Sequence, residues 1–290
     1  MTAATESAAV ATESPLELRE VTGPTAFGTT AKRFRELLWL SAATDFRMRY
    51  VETHFGYLWA LARPLLTFGI IFLFLRHILG FGGSIPYFPQ LLMMNIIMFQ
   101  FFQECTTQGM RALASREGLV RKTQFPRIVI PLSSSLTAAI TLALNLMVGC
   151  VLVLIMGLSP RLSWLLLPFL AAALVILATA ISLFLSAAFV RVRDIGQIWT
   201  VISRSLFWGT PILYTIERVP ESVRSFVLLN PLTPIFVEMR KVLIDPEAPG
   251  MIAAAGSVPK ALIPVALWAF IIGFSLWYFV REAPGVAEAL

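Results

Sequence analysis

Residues 128–157 read IVIPLSSSLTAAITLALNLMVGCVLVLIMG and contain no charged side chain. Residues 163–190, SWLLLPFLAAALVILATAISLFLSAAFV, are likewise uncharged. A helix needs about 20 consecutive, mostly apolar residues to cross the hydrocarbon core of a bilayer. Because both stretches exceed that length, they predict membrane-spanning helices and an all-α integral membrane protein.

The composition of the chain is that of a membrane protein. Of its 290 residues, 57% are hydrophobic and only 14% are charged, whereas charged residues make up about 25% of soluble domains. A soluble globular protein is therefore excluded. Cys105 and Cys150 both lie within apolar runs. This position predicts free thiols and excludes a secreted domain held together by disulfides.

Four further apolar runs bring the predicted number of transmembrane helices to six. The predicted spans are about 57–78, 88–110, 128–157, 163–190, 195–216 and 260–280, within a transmembrane domain at 54–281. Residues 1–30 are rich in Ala, Thr, Ser, Glu and Pro, which predicts a disordered cytoplasmic tail without a signal peptide. Residues 282–290 are predicted to form a second cytoplasmic tail.

The distribution of Lys and Arg predicts the orientation of the spans. With the N-terminus in the cytoplasm, 16 of the 23 basic residues fall on the cytoplasmic side and 7 fall outside, as the positive-inside rule requires. Both termini are therefore predicted to be cytoplasmic. The basic residues are scattered singly between apolar runs instead of forming a stripe, which argues against nucleic-acid binding.

Two segments are too polar or too short to span the membrane. Residues 31–53 mix basic and apolar side chains, which favours amphipathic interface or gate helices on the cytoplasmic surface, with a break near Ser41, over a soluble linker helix. Residues 217–245 are interrupted by Pro231 and Pro234, each of which stops a helix. We expect two short helices that break at Asn230-Pro231 and dip into the outer leaflet or lie along it.

The sequence lacks the common motifs of catalysis. No stretch matches the phosphate-binding pattern G-x-x-x-x-G-K-[ST], the metalloprotease pattern H-E-x-x-H or the pair C-x-x-C. The two histidines, His54 and His77, are isolated. The chain is therefore predicted to bind no cofactor or metal and to catalyse no reaction by itself.

Five short motifs resemble those of one transporter family. The run DFRMRYVETHFGYLWALARP at 45–64 is similar to the entry to the first span of ABC-2 type permeases of the polysaccharide and polyol phosphate export family. Four further motifs of the chain resemble later signatures of that family, in the same order. They are GLVRKTQFPRIVIPL (118–132), VRVRDIGQIW (190–199), Pro211-Ile212 and LNPLT (229–233).

The resemblance implies a half-transporter. Two copies of the chain would form a channel, and two copies of a separate ATPase subunit, which holds ATP and Mg²⁺, would drive it from the cytoplasm. The implied activity is export of a lipid-linked polysaccharide, such as O-antigen, teichoic acid or cell-wall galactan, across the bacterial plasma membrane. The alternatives are an ABC-2 exporter of drugs or small lipids, an integral membrane glycosyltransferase, and a channel or scaffold.

Polar residues inside the predicted spans are candidate functional residues. Five share one face of the second span by their helical spacing: Gln100, Gln103, Glu104, Thr107 and Gln108. This face should contact protein or water. We expect Arg63 or Arg204, which lie at similar depth, to neutralise Glu104. The alternative is a carboxylate that reaches the cytoplasmic interface.

Two stripes that mix aromatic rings with hydroxyls are the predicted lining of a glycan channel, because the family resemblance places the spans that carry them at the central path of the dimer. They lie on the first and fifth spans and comprise Tyr57, Phe68, Phe72, Trp199, Ser203, Thr210 and Tyr214. The alternative is that the rings only pack the seam between two copies. An outer gate is predicted in the 217–245 segment at Asn230, Pro231 and Pro234.

The loop at 111–127 is the candidate for coupling to the ATPase. It carries five basic residues around a predicted short helix from Ser115 to Lys122, and such a helix can lodge in an acidic cleft. The predicted contacts are Arg116, Glu117, Arg121 and Lys122. The positive-inside rule is the alternative explanation of this charge.

Overall fold

The computed structural model describes residues 31–51, 56–83, 85–118 and 126–285, except for the side chains of 31, 32, 49–51 and 57. Within these ranges all regular structure is helical, which confirms the all-α prediction. The α-helices are α1 (Ala31–Val51), α2 (Gly56–Leu73), α3 (Phe88–Ser115), α4 (Val129–Ile155), α5 (Leu167–Arg191), α6 (Ile195–Gly209), α7 (Glu221–Leu229), α8 (Thr233–Met239), α9 (Met251–Ala255) and α10 (Val258–Glu282).

Four helical segments in the described residues are long and apolar enough to cross a membrane. They are Leu58–Ile78, Val129–Ile155, Leu162–Arg191 and Val258–Gly285. Helix α3 has 28 residues but carries polar side chains. Helix α6 has 15 residues, about 22 Å at 1.5 Å per residue, against a hydrocarbon core of about 30 Å. That α3 and α6 complete a set of six spans stays a prediction.

Helix α6 ends seven residues before the predicted limit of the fifth span at 216. The cause is Pro211, which removes a backbone donor and disfavours helical dihedrals in the residue before it. Thr210 accordingly has φ −96° and ψ 143°, an extended conformation. The chain then turns through residues 210–215 and enters the segment that carries α7–α9.

The core of the protein is built around α3. Nineteen of its 28 residues are buried, including every residue from Leu91 to Phe99. A helix that is buried all round needs neighbours on several sides, and α3 has its most extensive contacts with α4 and α5. The apolar helices α4 and α5 therefore separate much of α3 from the surroundings.

The close crossing of α3 and α5 depends on small residues. A Cβ atom on Gly109 would lie 1.6 Å from Oγ and 2.8 Å from Cβ of Ser182. On α5, Ala178, Ser182 and Ser186 repeat every four residues, and all three are buried. Small side chains at such a stripe let two helix backbones approach closely, as is common between membrane helices.

The two ends of the helix bundle differ in what covers them. At one end, here called the α1 end, Phe34 of α1 packs on a cluster that includes Leu113, Ile128 and Phe279. Arg191 also pairs there with Glu282. At the other, the α7 end, a smaller cluster includes Ile216, Val219, Val237 and Ala254. One unbroken helix covers Ala31–Val51, so the predicted break near Ser41 is wrong, and the position of this helix on a membrane surface stays a prediction.

The α3–α5 crossing can be tested by adding a methyl group. We expect Gly109→Ala to lower the free energy of unfolding by roughly 1–3 kcal/mol, because the new Cβ overpacks the crossing. Thermal unfolding of the purified protein in detergent measures this change. The matched control is Gly273→Ala in α10, where a Cβ meets nothing within 4 Å. A Gly109→Ala variant as stable as this control would contradict the packing account, whereas Ser182→Gly should restore part of the lost stability.

Candidate functional site along helix α3

Polar side chains run along one face of α3 toward the α1 end. Their spacing of four, four, three and four residues keeps them on one side of the helix: Gln100, Glu104, Gln108, Arg111 and Ser115. These residues line two neighbouring cavities that share Gln108. We call the continuous polar surface that the five residues form the polar track.

The first cavity, here called the upper cavity, lies between α2, α3 and α4. Its volume is about 370 Å³, within the ~300–1,000 Å³ range of small-molecule sites. The polar or aromatic side chains in its wall are Trp59 and Arg63 from α2, Gln100, Phe101, Glu104 and Gln108 from α3, and Thr141 and Asn145 from α4. Three of the five residues of the predicted polar face, Gln100, Glu104 and Gln108, are thus brought together here.

Hydrogen bonds orient the amide side chains of the upper cavity. Gln100 Nε2 donates to Thr67 Oγ1 at 2.8 Å and so joins α3 to α2. Gln108 Nε2 donates to Glu104 Oε1 at 2.9 Å. Asn145 Nδ2 donates to the Thr141 carbonyl at 3.0 Å. Each amide is therefore oriented by a hydrogen bond to a nearby residue.

Of the two arginines expected near Glu104, one lines the upper cavity together with it. Arg63 and Glu104 line the same cavity, whereas Arg204 lies on the exposed side of α6. An ionised side chain within a membrane domain is stabilised when it faces an opposite charge or a water-filled cavity. Of the two expected partners, the structure therefore favours Arg63. Neutralisation of Glu104 by Arg63 stays a hypothesis.

The second cavity, here called the lower cavity, opens at the α1 end and has a volume of about 360 Å³. Asp45 of α1 forms an ion pair with Arg116 at its rim. Ser133 Oγ donates to Asp45 Oδ2 at 3.3 Å, and Thr137 Oγ1 donates to the carbonyl of Ala42 at 3.1 Å. These contacts attach α1 to α4 and to the end of α3.

The predicted coupling residues fall partly in this region. Arg116 is engaged by Asp45, and its side chain is 27% exposed. Glu117 is half-buried. Arg121 and Lys122 lie outside the described residues. The structure thus assigns Arg116 a contact within the chain that the sequence did not reveal, and its role toward an ATPase stays a prediction.

The predicted channel stripe of α6 is packed inside the chain. Trp199, Ser203 and Thr210 are all buried, and Trp199 Nε1 donates to Thr106 Oγ1 of α3 at 3.2 Å. Periodicity grouped Trp199 with Ser203 on one face of α6 but could not tell whether that face meets α3 or a channel, and Thr210 lies beyond the end of the helix. The side of α6 exposed in the described chain instead carries Thr200, Arg204 and Trp208.

The remaining predicted channel residues have mixed surroundings. Phe68 and Phe72 stack at 5.6 Å between ring centroids and pack, half-buried, against the main core. The hydroxyl of Tyr214 donates to the Trp208 carbonyl at 3.1 Å. The side chain of Tyr57 is outside the described part of the chain. The channel prediction concerns two copies of the chain and therefore stays a prediction.

Comparison with known proteins assigns the chain to a family. The profile of ABC-2 type transporters matches residues 36–244, a range that contains the whole polar track. The chain belongs to the ABC-2 type transporter family. The family that the sequence motifs indicated is thereby confirmed.

Several polysaccharide-export proteins are similar to this ABC-2 chain. The O-antigen export system permease protein RfbA of Klebsiella pneumoniae is 29% identical over 72% of this chain and 81% of its own length. RfbA of Myxococcus xanthus is 26% identical, with 82% and 90% covered. The polysialic acid transport protein KpsM of Escherichia coli is 22% identical, with 82% and 91% covered.

The ABC-2 motif at 229–233 braces the α7 end. As predicted, two helices break at Asn230-Pro231: α7 ends at Leu229 and α8 begins at Thr233, with Pro234 in its first turn. Asn230 Nδ2 donates to Thr210 Oγ1 at 2.9 Å. The carbonyl of Pro231 accepts a 2.7 Å hydrogen bond from Trp268 Nε1. These bonds tie α6 and α10 to the break, while a gating role stays a prediction.

Sequence reasoning missed two polar groups of this ABC-2 domain. The buried Asn95 of α3 donates to the carbonyls of Pro211 and Ile212 at 3.2 and 3.0 Å. A single amide within the apolar run MMNII was the available signal. At the α7 end, Arg240 contacts both carboxylate oxygens of Glu217 at 2.7 and 2.8 Å. No regular spacing in the sequence links those two residues.

The ion pair of Glu217 and Arg240 predicts a pH dependence. Burial opposes ionisation of Glu217, but hydrogen bonds from the backbone, Thr215 and Arg240, together with the charge of Arg240, outweigh it and lower its pKa from 4.5. Ionised Glu217 therefore stabilises the folded state at neutral pH, and this contribution is lost as the pH falls below about 4.5 through the lowered pKa.

Glu217→Gln should remove this pH dependence. Because the Glu217 side chain is 40% exposed, the effect is that of a screened pair, and we expect a loss at pH 7 of about 1–2 °C in unfolding temperature. The loss should vanish near pH 3. Differential scanning fluorimetry at both pH values measures it, with the exposed Glu247→Gln as control. An equal loss at pH 7 and pH 3 would contradict the ion-pair account.

Proposed function

We propose that the chain is the transmembrane subunit of an exporter for a lipid-linked polysaccharide, powered by a separate ATPase subunit. The observation that carries the proposal is the family match over residues 36–244, together with relatives named as O-antigen and polysialic acid transport proteins. The polar track supports it, because a hydroxyl-rich substrate needs hydrogen-bonding groups where a membrane protein is otherwise apolar.

The division of labour in the proposal follows from the sequence. The chain has no phosphate-binding motif of the Walker type, so ATP and Mg²⁺ are assigned to the partner ATPase. We propose two copies of this chain and two ATPase subunits in a bacterial plasma membrane, surrounded by membrane lipids, with no role for nucleic acid. The α1 end and both termini are assigned to the cytoplasm.

The coupling surface is proposed at the cytoplasmic α1 end. Arg116, Glu117, Arg121 and Lys122 follow α3 directly in the chain, so a push on this loop acts on the helix that carries the polar track. The ion pair of Arg116 with Asp45 extends such a movement to α1. Contact with the ATPase at this loop thus has a physical route to the track.

Export can be tested in the bacterium that carries the gene. Deleting the gene should remove the glycan from the cell surface and cause its lipid-linked form to accumulate inside. The full chain should restore export together with the wild-type ATPase subunit. It should not restore export with an ATPase variant that lacks its phosphate-binding lysine, because this variant cannot supply energy. Surface and intracellular glycan are measured by radiolabelled sugar incorporation.

The alternatives predict other outcomes of the same deletion. Unchanged surface glycan with increased sensitivity to apolar drugs, or with a retained small lipid, would instead identify an ABC-2 drug or small-lipid exporter. Loss of glycan synthesis without intracellular accumulation would favour a membrane glycosyltransferase. Either result would contradict polysaccharide export.

Two faces of α6 are alternative proposals for the lining of the channel. The predicted residues Ser203 and Thr210 require a rotation of α6, because both are buried. Thr200 and Trp208 lie on the side that is exposed in the described chain. Since these two side chains need no rotation of α6 to line a channel, we favour Thr200 and Trp208 as the lining residues.

Single cysteines distinguish the two sides of α6. In a chain with Cys105→Ala and Cys150→Ala, we expect Thr200→Cys and Trp208→Cys to react with a water-soluble thiol reagent during export, at least tenfold faster than Ser203→Cys and Thr210→Cys. Mass-shift labelling measures the rates. Faster reaction at 203 and 210 would overturn our preference and support the stripe predicted from the sequence.

A further inference from the structure

We propose that the upper cavity of each copy of the chain binds an uncharged sugar unit of the exported glycan. This inference rests on the proposed function and deepens it. The site is lined by α2, α3 and α4 of one chain.

The groups in the cavity wall are suited to a sugar ring. Trp59 is 52% exposed and offers a flat apolar surface, on which the C–H face of a sugar can pack. Gln100 and Asn145 carry amides, each with two N–H donors and a carbonyl acceptor. The bonds from Gln100 to Thr67 and from Asn145 to the Thr141 carbonyl each use one of those donors. Sugar hydroxyls both donate and accept, so they match this mixed set.

The charge of the upper cavity favours an uncharged ligand. Arg63 and Glu104 place side chains of opposite formal charge in the wall of the same cavity. A phosphate or acidic sugar would gain from Arg63 but be repelled by Glu104. The hydroxyls of a neutral sugar can donate to the carboxylate and accept from the guanidinium, and such bonds to charged groups contribute about 1.5–3 kcal/mol each.

A route from the cytoplasmic side leads to the site. Gln108 lines both cavities, so the upper cavity is adjacent to the lower cavity at the α1 end. The lower cavity carries Arg111, Ser115 and the paired residues Asp45 and Arg116. The polar track thus joins the two cavities along one face of α3, and this face is the route that we propose for the sugar unit.

The test uses single cysteines in the complete transporter. Gln100→Cys and Asn145→Cys are made in a chain with Cys105→Ala and Cys150→Ala, expressed with the ATPase subunit. Inverted membrane vesicles are labelled with a small water-soluble maleimide, with glycan assembly either intact or genetically blocked. We expect both cysteines to react in blocked membranes and to react at least fivefold more slowly when the glycan is present.

Controls identify what occupies the cavity. Glu36→Cys, at an exposed position of α1 outside the predicted spans, should react equally in both membranes. Undecaprenyl phosphate added without glycan should give no protection. Protection by this lipid alone would assign the cavity to the lipid headgroup, and absence of labelling in both membranes would mean that lipid or the second copy fills it. Either outcome would overturn the proposal.

Variants of Trp59 give a second, independent readout. We expect Trp59→Phe to export at least half as fast as the wild type, because it keeps a ring, and Trp59→Leu to export at least fivefold more slowly at equal membrane abundance. Equal export by both variants would overturn the sugar site. Normal export together with unprotected cysteines would refute this inference alone, whereas a wild-type chain that exports no glycan would refute the proposed function.

Discussion

The structure depends on enclosing α3, a span-length helix that is too polar on one face to contact lipid. Its first half is apolar and is buried from Leu91 to Phe99. Its second half carries Gln100, Glu104 and Gln108, which face cavities. Because uncompensated polar and charged groups are costly in hydrocarbon, neighbouring helices must shield α3. The small residues at the Gly109–Ser182 crossing let α5 approach closely enough to contribute to this shielding.

The same constraint links the two ends of the protein. At the α1 end, the Asp45–Arg116 pair attaches the first helix to the end of α3. Toward the α7 end, Asn95 of α3 holds the turn at Pro211-Ile212, and Thr210 in that turn bonds Asn230. One helix therefore contacts the proposed coupling region directly and reaches the proposed gate through the turn at 210–212. A movement of α3 can be transmitted to either end through these contacts.

Much of this could be predicted from the sequence, because lipid imposes long uncharged runs and proline interrupts helices. The four apolar spans and the break at Asn230-Pro231 follow from those two rules. What each face of α6 contacts could not be predicted, since the periodicity that groups Trp199 with Ser203 is the same for a face that lines a channel and for a face that packs on α3. The contacts of Arg116 and Asn95 depend on residues 71 and more than 100 positions away, which no local pattern encodes.

The central claim is that α3 is shielded from lipid and carries a water-accessible polar track. A nitroxide scan of positions 97–112 in the assembled transporter tests it most directly, by comparing collision rates with oxygen, which concentrates in lipid, and with a polar nickel complex. The account predicts nickel maxima at 104, 108 and 111 with low oxygen access at those positions. Oxygen maxima at 104 and 108 would place this face in lipid and contradict the account.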